Sequence, residues 1–454
     1  MHSQLMENSK VAERIEPAFI FGDLNQRVLL AEGDVSIEVE GNTYPGKGQV
    51  CLDFLPRPNI HVYAEFQAVP PTIALNFVAG QQEISSLRAL GKQILGFHVN
   101  IGGDVTHQQM TLKWCPKSEP ILGVGEDSST IKSLVFHLFN FEEIFGIRRT
   151  FEQHGSKLYT FEHVDLVSDD WKVEIQSLPE TRDRLKLLKA EGGYGLTHIG
   201  CLKKPDGSSF LGKEAEEALD ALRFFFSFSK GIWCEPICAV GFDASNNRVW
   251  ESWSSPREAW HSPMSWFDSH HCEQLVKLFP GFMAKWNNED WREALSQVIY
   301  WYVNSNHSSR GIDAGIVLTQ AAIERFSYEY AVKDRKLIEA SGFKDLRASD
   351  KFRLLFSSLD IPIDISGSLS EMTKLAKQFN WLDSPHALTE MRNSLVHPEH
   401  KRRAQYSDAY FEAWNLGLWY LELAMLRICR YSGSYSNRLI KKWAGAVEGV
   451  PWSP

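Results

Sequence analysis

Arg392, Asn393 and His397 stand close together in Ser384-Pro-His-Ala-Leu-Thr-Glu-Met-Arg392-Asn393-Ser-Leu-Val-His397-Pro398, and side chains of these three types can cleave RNA together. A guanidinium is permanently charged and forks onto two phosphate oxygens, so Arg392 can hold a phosphodiester and stabilise the added charge of a five-coordinate phosphorus. Histidine ordinarily titrates in the range that suits a proton shuttle, which gives His397 the role of general base or acid toward a ribose 2′-OH. Asn393 would orient the phosphate or the arginine. The nucleophile then belongs to the substrate, the products are a 2′,3′-cyclic phosphate and a free 5′-OH, and neither metal nor cofactor is required.

One short helix must position all three. Ser384 reads as its N-cap and Pro385 as its first helical residue, while Pro398 biases His397 out of the α region, so the helix is predicted over 385–396. His397 then sits at the helix C-terminus, where the dipole favours a cation. Residues five apart on a regular helix point about 140° apart, so Arg392 and His397 converge only where the last turn loosens, as a pre-proline position allows. Spacing alone says little: an Arg followed five residues later by a His is expected by chance roughly once in such a composition. Arg149 and His154 have the same separation in Arg148-Arg-Thr-Phe-Glu-Gln-His-Gly, without the capped helix or the closing proline. The bland reading of the second motif is a surface arginine and a capping histidine on an ordinary bundle helix.

With Asn393 directly after the arginine, His397 before proline and long helices on both sides, the segment resembles the HEPN superfamily, whose signature is Arg-x(4 to 6)-His. Arg392, Asn393 and His397 match it, and the resemblance covers roughly residues 287 to 445. It implies an antiparallel helical bundle that dimerises, two Arg/His pairs facing each other across the interface, and in many members metal-independent RNase activity. The arrangement as a whole is similar to ApeA-type anti-phage HEPN proteins, in which a distinct N-terminal domain precedes the HEPN domain. That likeness implies an N-terminal domain responding to an infection signal and a nuclease that arrests growth. Two rivals stay open. One is a noncatalytic HEPN module binding a nucleotide or RNA; the other is a β-domain ligand binder, for carbohydrate or phage protein, dimerised by its helical half.

The chain of 454 residues is too long for one compact core. Hydrophobic content of 43% and charged content of 23% are ordinary for a globular protein, and the formal charge of −9 argues against a generally sticky nucleic-acid binder. A local basic patch remains compatible with it. The N-terminus lacks the basic-then-apolar layout of a signal peptide and no apolar run reaches membrane-spanning length, so a cytoplasmic protein with no membrane partner is expected. Seven cysteines without a CxxC pair fit reduced, buried thiols. Cys234 and Cys238 with His270, His271 and Cys272 have too irregular a spacing for zinc, and no metal ligand set is assigned.

From Ala18 to about Leu178, period-two runs such as Val35-Ser-Ile-Glu-Val and Ile60-His-Val-Tyr-Ala-Glu-Phe, separated by turn clusters, predict a β sandwich or barrel. Residues 180–285 read as mixed, with a helix over 213–229 between strands at 196–202 and 232–242. After Asn287 the strand signal disappears. Helices are predicted at 289–305, 309–334, 349–358, 368–379, 385–396, 405–431 and 435–444. The fold expected is therefore α+β and multidomain, a β-rich sandwich- or barrel-like sensing region over 1–285 with an α/β portion at 180–285, followed by an all-α HEPN bundle over 286–454.

Three details complete the expected site. Ile312, Ile316, Thr319, Ile323, Phe326 and Tyr330 align on one face of the second of these helices, with Glu324 to the side, where an acid would hold Arg392 in its working rotamer. The bland reading of Glu324 is a solvated charge. The helix near 406–431 is apolar almost all round and must be covered by the N-terminal domain, by a second protomer or as a central core helix. Lys401, Arg402 and Arg403 follow the motif, and Arg438, Lys441 and Lys442 lie among Tyr431, Tyr435 and Trp443, the mixture of cations and aromatics that a single-stranded RNA groove uses. The alternative is a solvated basic face with core aromatics.

Overall fold

A computed structural model of the chain describes residues 14–70, 72, 73, 76, 86–104, 108–153, 157–307, 311–397, 403–440 and 443–453. The predicted alternation of the first third closes into a barrel. Its strands are β1 (Val28–Val39), β2 (Asn42–Asp53), β3 (Asn59–Phe66), β4 (Ser86–Ala89), β5 (Lys92–Asp104) and β6 (Gln109–Pro116), ordered β1-β2-β3-β6-β5-β4 and joined back to β1 through Val35 and Ser36 opposite Ala89 and Arg88. Val35, Ile37, Val50, Leu52, Ile60, Val62 and Leu112 fill the interior, while the residues between them face outward, as period-two patterning requires. Glu40 and Gly41 turn β1 into β2 with φ of 53° and 80°, the pair of positive values that a two-residue hairpin turn needs.

An eight-stranded antiparallel sheet follows. It consists of β7 (Ile121–Val124), β9 (Ser133–Phe139), β10 (Ile147–Gln153), β11 (Lys157–Val167), β12 (Lys172–Ser177), β13 (Leu196–Lys203), β15 (Pro236–Phe242) and β16 (Arg248–Trp253), in the order β10-β11-β12-β13-β9-β15-β16-β7. The short β8 (Thr130–Ile131) and β14 (Phe210–Leu211) pair separately. Both faces of the sheet are buried. Phe139, Ile199, Ile237, Val240 and Trp253 pack with the barrel, and Leu134, Phe136, Leu138 and Ile175 pack with the helices. Gly200 lies opposite Phe136, whose ring comes within 2.0 Å of where a β-carbon would stand, so no larger residue fits there.

The helices are α1 (Thr181–Glu191), α2 (Gly212–Lys230), α3 (Glu273–Trp286), α4 (Glu289–Asn306), α5 (Ile312–Tyr328), α6 (Ala340–Asp345), α7 (Ala348–Ser358), α8 (Ser370–Phe379), α9 (Ser384–Val396) and α10 (Tyr410–Ile428). Helix α2 matches the expected 213–229. Helix α3 was not expected, because Pro280 sits in its middle and proline in a helix interior ordinarily breaks the pattern. It is retained because Leu275, Leu278, Phe279, Phe282 and Met283 are buried, and because Gly281 lets Cys429 O approach to 1.8 Å from a would-be β-carbon. One apolar core runs from Ile131 through α2 and α3 to Val450 without a break at residue 285.

Helix α10 is the central helix of that core. All of its residues except Phe411, Glu412 and Arg427 are buried within the single chain. The predicted stripe on α5 is also buried at Ile316, Thr319, Ile323 and Phe326. The described residues of 435–444 form no helix. Instead β17 (Ser434–Tyr435) pairs with β18 (Glu448–Gly449), and Glu448 accepts hydrogen bonds from Tyr435 Oη at 2.9 Å and Asn437 Nδ2 at 2.8 Å. Tertiary contacts override the local helical pattern there, and Arg438 and Leu439 stand in a turn. Among the described residues, no helix is long and apolar enough to cross a membrane.

Candidate functional site

Helix α9 is capped one residue earlier than its sequence suggested. Asp383 is the N-cap, its Oδ1 accepting from His386 N at 2.9 Å, and Ser384 is buried with its hydroxyl donating to Asp364 O at 3.0 Å. Asp and Ser are comparable caps; the aspartate prevails because Arg353 also needs it. Arg353 forks onto Asp383 with Nε–Oδ2 of 2.6 Å and Nη2–Oδ1 of 3.1 Å. Ala387, Leu388 and Met391 bury the inner face of α9, Gln320 Nε2 on α5 donates to Leu388 O at 2.5 Å, and Ser394 Oγ meets Tyr410 Oη at 2.9 Å. Both ends of the helix are therefore fixed to neighbours, so the side chains of its outer face start from a rigid base.

On that base Arg392 Nη1 donates to Asn393 Oδ1 at 3.3 Å, and both side chains are half-buried. His397 is the C-cap, with φ −106° and ψ 112°, and its backbone N–H donates to Asn393 O at 3.0 Å. The pre-proline residue has left the helix as predicted, and its side chain is exposed. Beside it a shallow depression of about 360 Å³ is lined by Asp313, Ala314, Val317, Leu318, Leu395 and Val396, from the start of α5 and the end of α9. Arg149 of the decoy pair lies on strand β10, and His154 lies outside the described residues.

The supporting residues divide. Glu324 Oε1 accepts from Lys351 Nζ of α7 at 2.6 Å and its side chain is exposed, and among the described residues it makes no hydrogen bond or ion pair with Arg392. Arg438 is a correction to the expected RNA surface. It is buried, donating Nε to Glu422 Oε2 at 3.0 Å, Nη2 to Glu422 Oε1 at 2.5 Å and to Met264 O at 2.8 Å, and Nη1 to Asn306 Oδ1 at 3.2 Å. Burial opposes its charge, but Glu422 more than offsets this and raises its pKa. The sequence signal was Glu422 itself, an acid inside an otherwise apolar helix, which demands a buried cation. Lys401, Arg402, Lys441 and Lys442 lie outside the described residues, as does the side chain of Arg403, whose backbone begins a 3-10 turn over Arg403–Ala409. Trp443 is exposed.

A second polar cluster carried no motif in the sequence. Asp53 at the end of β2 is nearly buried and accepts from Arg27 Nε at 2.6 Å, Tyr63 Oη at 2.5 Å and His61 Nδ1 at 2.8 Å. Burial pushes its carboxyl up, but these donors hold it far below the usual carboxylate range. Register makes the cluster, since Cys51 stands opposite His61 and Lys113 opposite Tyr63, and cross-strand pairing is not visible in a linear string. Among the described residues no group of three or more His, Cys, Asp and Glu side chains is arranged to hold a metal ion.

Residues 126–263, which cover most of the sheet, match the family described as the YopA central domain, and residues 288–448, which cover the helical bundle, match that described as the YopA C-terminal domain. The barrel lies outside both segments. Over 453 residues the chain is 27% identical to the SPbeta prophage-derived uncharacterized protein YopA of Bacillus subtilis (strain 168), with 96% of this chain and 98% of that one covered. No solved structure matches the chain.

Proposed function

We propose that the helical half is a metal-independent endoribonuclease of the HEPN kind, with Arg392, Asn393 and His397 as its catalytic residues. The observation that carries this reading is the arrangement on α9: an arginine already hydrogen-bonded to the adjacent asparagine, and an exposed histidine at the extended C-cap of a helix fixed at both ends. His397 takes the proton of the ribose 2′-OH as the oxygen attacks phosphorus. Arg392 binds the phosphoryl oxygens as charge builds on them, and the 5′-oxygen leaves with a proton delivered by a second general acid. In a dimer of this kind that acid is the histidine of the other protomer. The apolar depression beside His397, with Val317, Leu318, Leu395 and Val396, supports a second copy docking at this end of the bundle. The barrel and sheet take the regulatory part, and a prophage-derived relative is compatible with a role in conflict between phage and host.

The test is induced expression of the wild type, Arg392→Ala and His397→Ala, with mapping of 2′,3′-cyclic phosphate ends in cellular RNA, alongside purified protein in EDTA. Cleavage by the wild type alone, undiminished by the chelator, is expected. Cleavage that persists in both variants, or that requires added metal, sinks the reading. Sedimentation of the wild type and of Val396→Glu would show whether the depression is a self-contact. The second reading, a ligand-binding N-terminal half, is favoured by the Asp53 cluster and the groove beside it.

A further inference from the structure

The outer face of the barrel carries a groove of about 760 Å³ across β1, β2, β3, β6 and β5, within the roughly 300–1,000 Å³ typical of small-ligand sites. The side chains that define it are Gln49, Tyr63, Glu65, Asn100, Thr111 and Lys113. Two rows cross the strands, Gln49, Tyr63, Lys113 and Asn100 in one and Glu65, Thr111 and Gly102 in the next. Among the described residues, the side chains of Glu65, Asn100 and Thr111 have no hydrogen-bond partner. They offer a carboxylate, an amide and a hydroxyl on neighbouring strands about 4.8 Å apart.

Tyr63 is the fixed point of the first row. Its hydroxyl is held between Asp53 Oδ2 at 2.5 Å and Arg27 Nη2 at 2.7 Å, the Arg27 guanidinium lies 4.2 Å from its ring centroid, and Lys113 Nζ lies 5.4 Å from it. A ring locked in this way is preorganised, which lowers the ordering cost of binding.

The chemistry of the lining removes three classes of occupant. A nucleic-acid backbone needs a surplus of cations, whereas Lys47 and Lys113 are balanced by Glu32 and Glu65 in the groove, and Lys47 is paired with Asp34 at 2.5 Å. A peptide added as a strand needs an open edge, whereas β2, β3 and β6 are each paired on both sides. A wholly apolar ligand would leave the carboxylate, amide, hydroxyl and ammonium groups of Glu65, Asn100, Thr111 and Lys113 unsatisfied, while Tyr63, Ala64 and Leu112 give the groove enough apolar surface for the C–H face of a sugar ring. We propose that the groove binds an uncharged polyhydroxylated ligand of the saccharide class, whose vicinal hydroxyls bridge Glu65 and Thr111 in one row and Lys113 and Asn100 in the other. The inference is independent of the ribonuclease reading and gives the N-terminal half a ligand.

The experiment is binding of the full chain to an array of glucose, galactose and N-acetylglucosamine oligosaccharides, with a 12-nucleotide oligouridine measured in parallel. Asn100→Leu with Thr111→Val and, separately, the isosteric Glu65→Gln are the variants. All three positions are exposed, and unchanged melting temperatures are expected. At least one saccharide should be retained by the wild type and weakened tenfold or more by each variant, with oligouridine unaffected. Absence of any retained saccharide, retention unchanged in both variants, or a parallel loss of oligouridine binding overturns the proposal.

Discussion

The Asp53 cluster and the Arg392 motif are opposite ways of placing charged side chains. At the barrel, one carboxylate collects three donors, two of them also joined to each other, and little of it meets water. At the end of α9, among the described residues, Arg392 has one 3.3 Å side-chain bond, to Asn393, and the His397 side chain is exposed, although the helix beneath them is anchored by Asp383, Gln320 and Tyr410. The first arrangement is complete within one chain, so removing a member costs stability. The second has a rigid base and side chains that are half-buried or exposed, so removing a member should cost chemistry and leave the fold intact. Exposure of this kind is what the proposed reading requires, since substrate and a second protomer must both reach these side chains.

The largest expected effect tests the open end. Arg392→Ala should lower RNA cleavage by about a hundredfold to a thousandfold, the range seen for loss of a single group that stabilises transition-state charge, while the melting temperature stays within a degree or two. A variant that unfolds instead would make Arg392 a structural residue and erase the contrast.

How much of this was legible in the sequence depends on the range of the interactions. The helix carrying Arg392, the extended His397 and the buried stripe of α5 are local, and caps, prolines and period 3.6 announce them. The Asp53 cluster joins Arg27, Asp53, His61 and Tyr63 through strand register, which nothing in the spacing of these residues specifies. Arg438 looked like a surface cation because its neighbours in sequence are basic, whereas its partner Glu422 sits sixteen residues back on a helix that runs through the core. Pro280 concealed α3 because the contact that retains it, between Gly281 and Cys429, joins residues far more distant in sequence.

Acid should destabilise the seam between barrel and sheet. His137 is fully buried, its Nε2 accepting from Ala18 N at 3.1 Å and its Nδ1 donating to Cys238 O at 3.0 Å, and burial lowers its pKa from 6.5 to about 4. Burial lowers that of His198 to about 3. Both folded values lie below the unfolded one, so the unfolded chain binds the extra proton. Their stabilisation is whole above about pH 6.5 and is lost as pH falls toward 4, by about 3 kcal/mol for His137. Urea titrations at pH 7 and 4.5 should show the loss, and His137→Gln should flatten the slope. An unchanged slope would mean that this histidine does not control the seam.

Asp53→Ala should come next, at roughly 2–3 kcal/mol, because His61 and Tyr63 lose a charged acceptor. The comparison is sharpened if the loss appears as earlier exchange of amides in β2 and β3 while α9 keeps its protection. If α9 exchanges equally early, the barrel and the bundle unfold as one unit, coupled through the sheet whose two faces they cover, and the two regions differ in chemistry alone.

The smallest effect concerns Glu324. Its ion pair with Lys351 is 2.6 Å long, but about half of its side chain is exposed, and exposed pairs contribute about 0–1 kcal/mol. Glu324→Ala should therefore change the melting temperature by no more than a degree or two and leave RNA cleavage unaltered. A tenfold loss of cleavage with intact stability would mean that Glu324 exchanges Lys351 for Arg392 when RNA or the second protomer is present. The open end of α9 would then contain its own orienting acid, held in reserve on α5, and the contrast with Asp53 would narrow to one of timing.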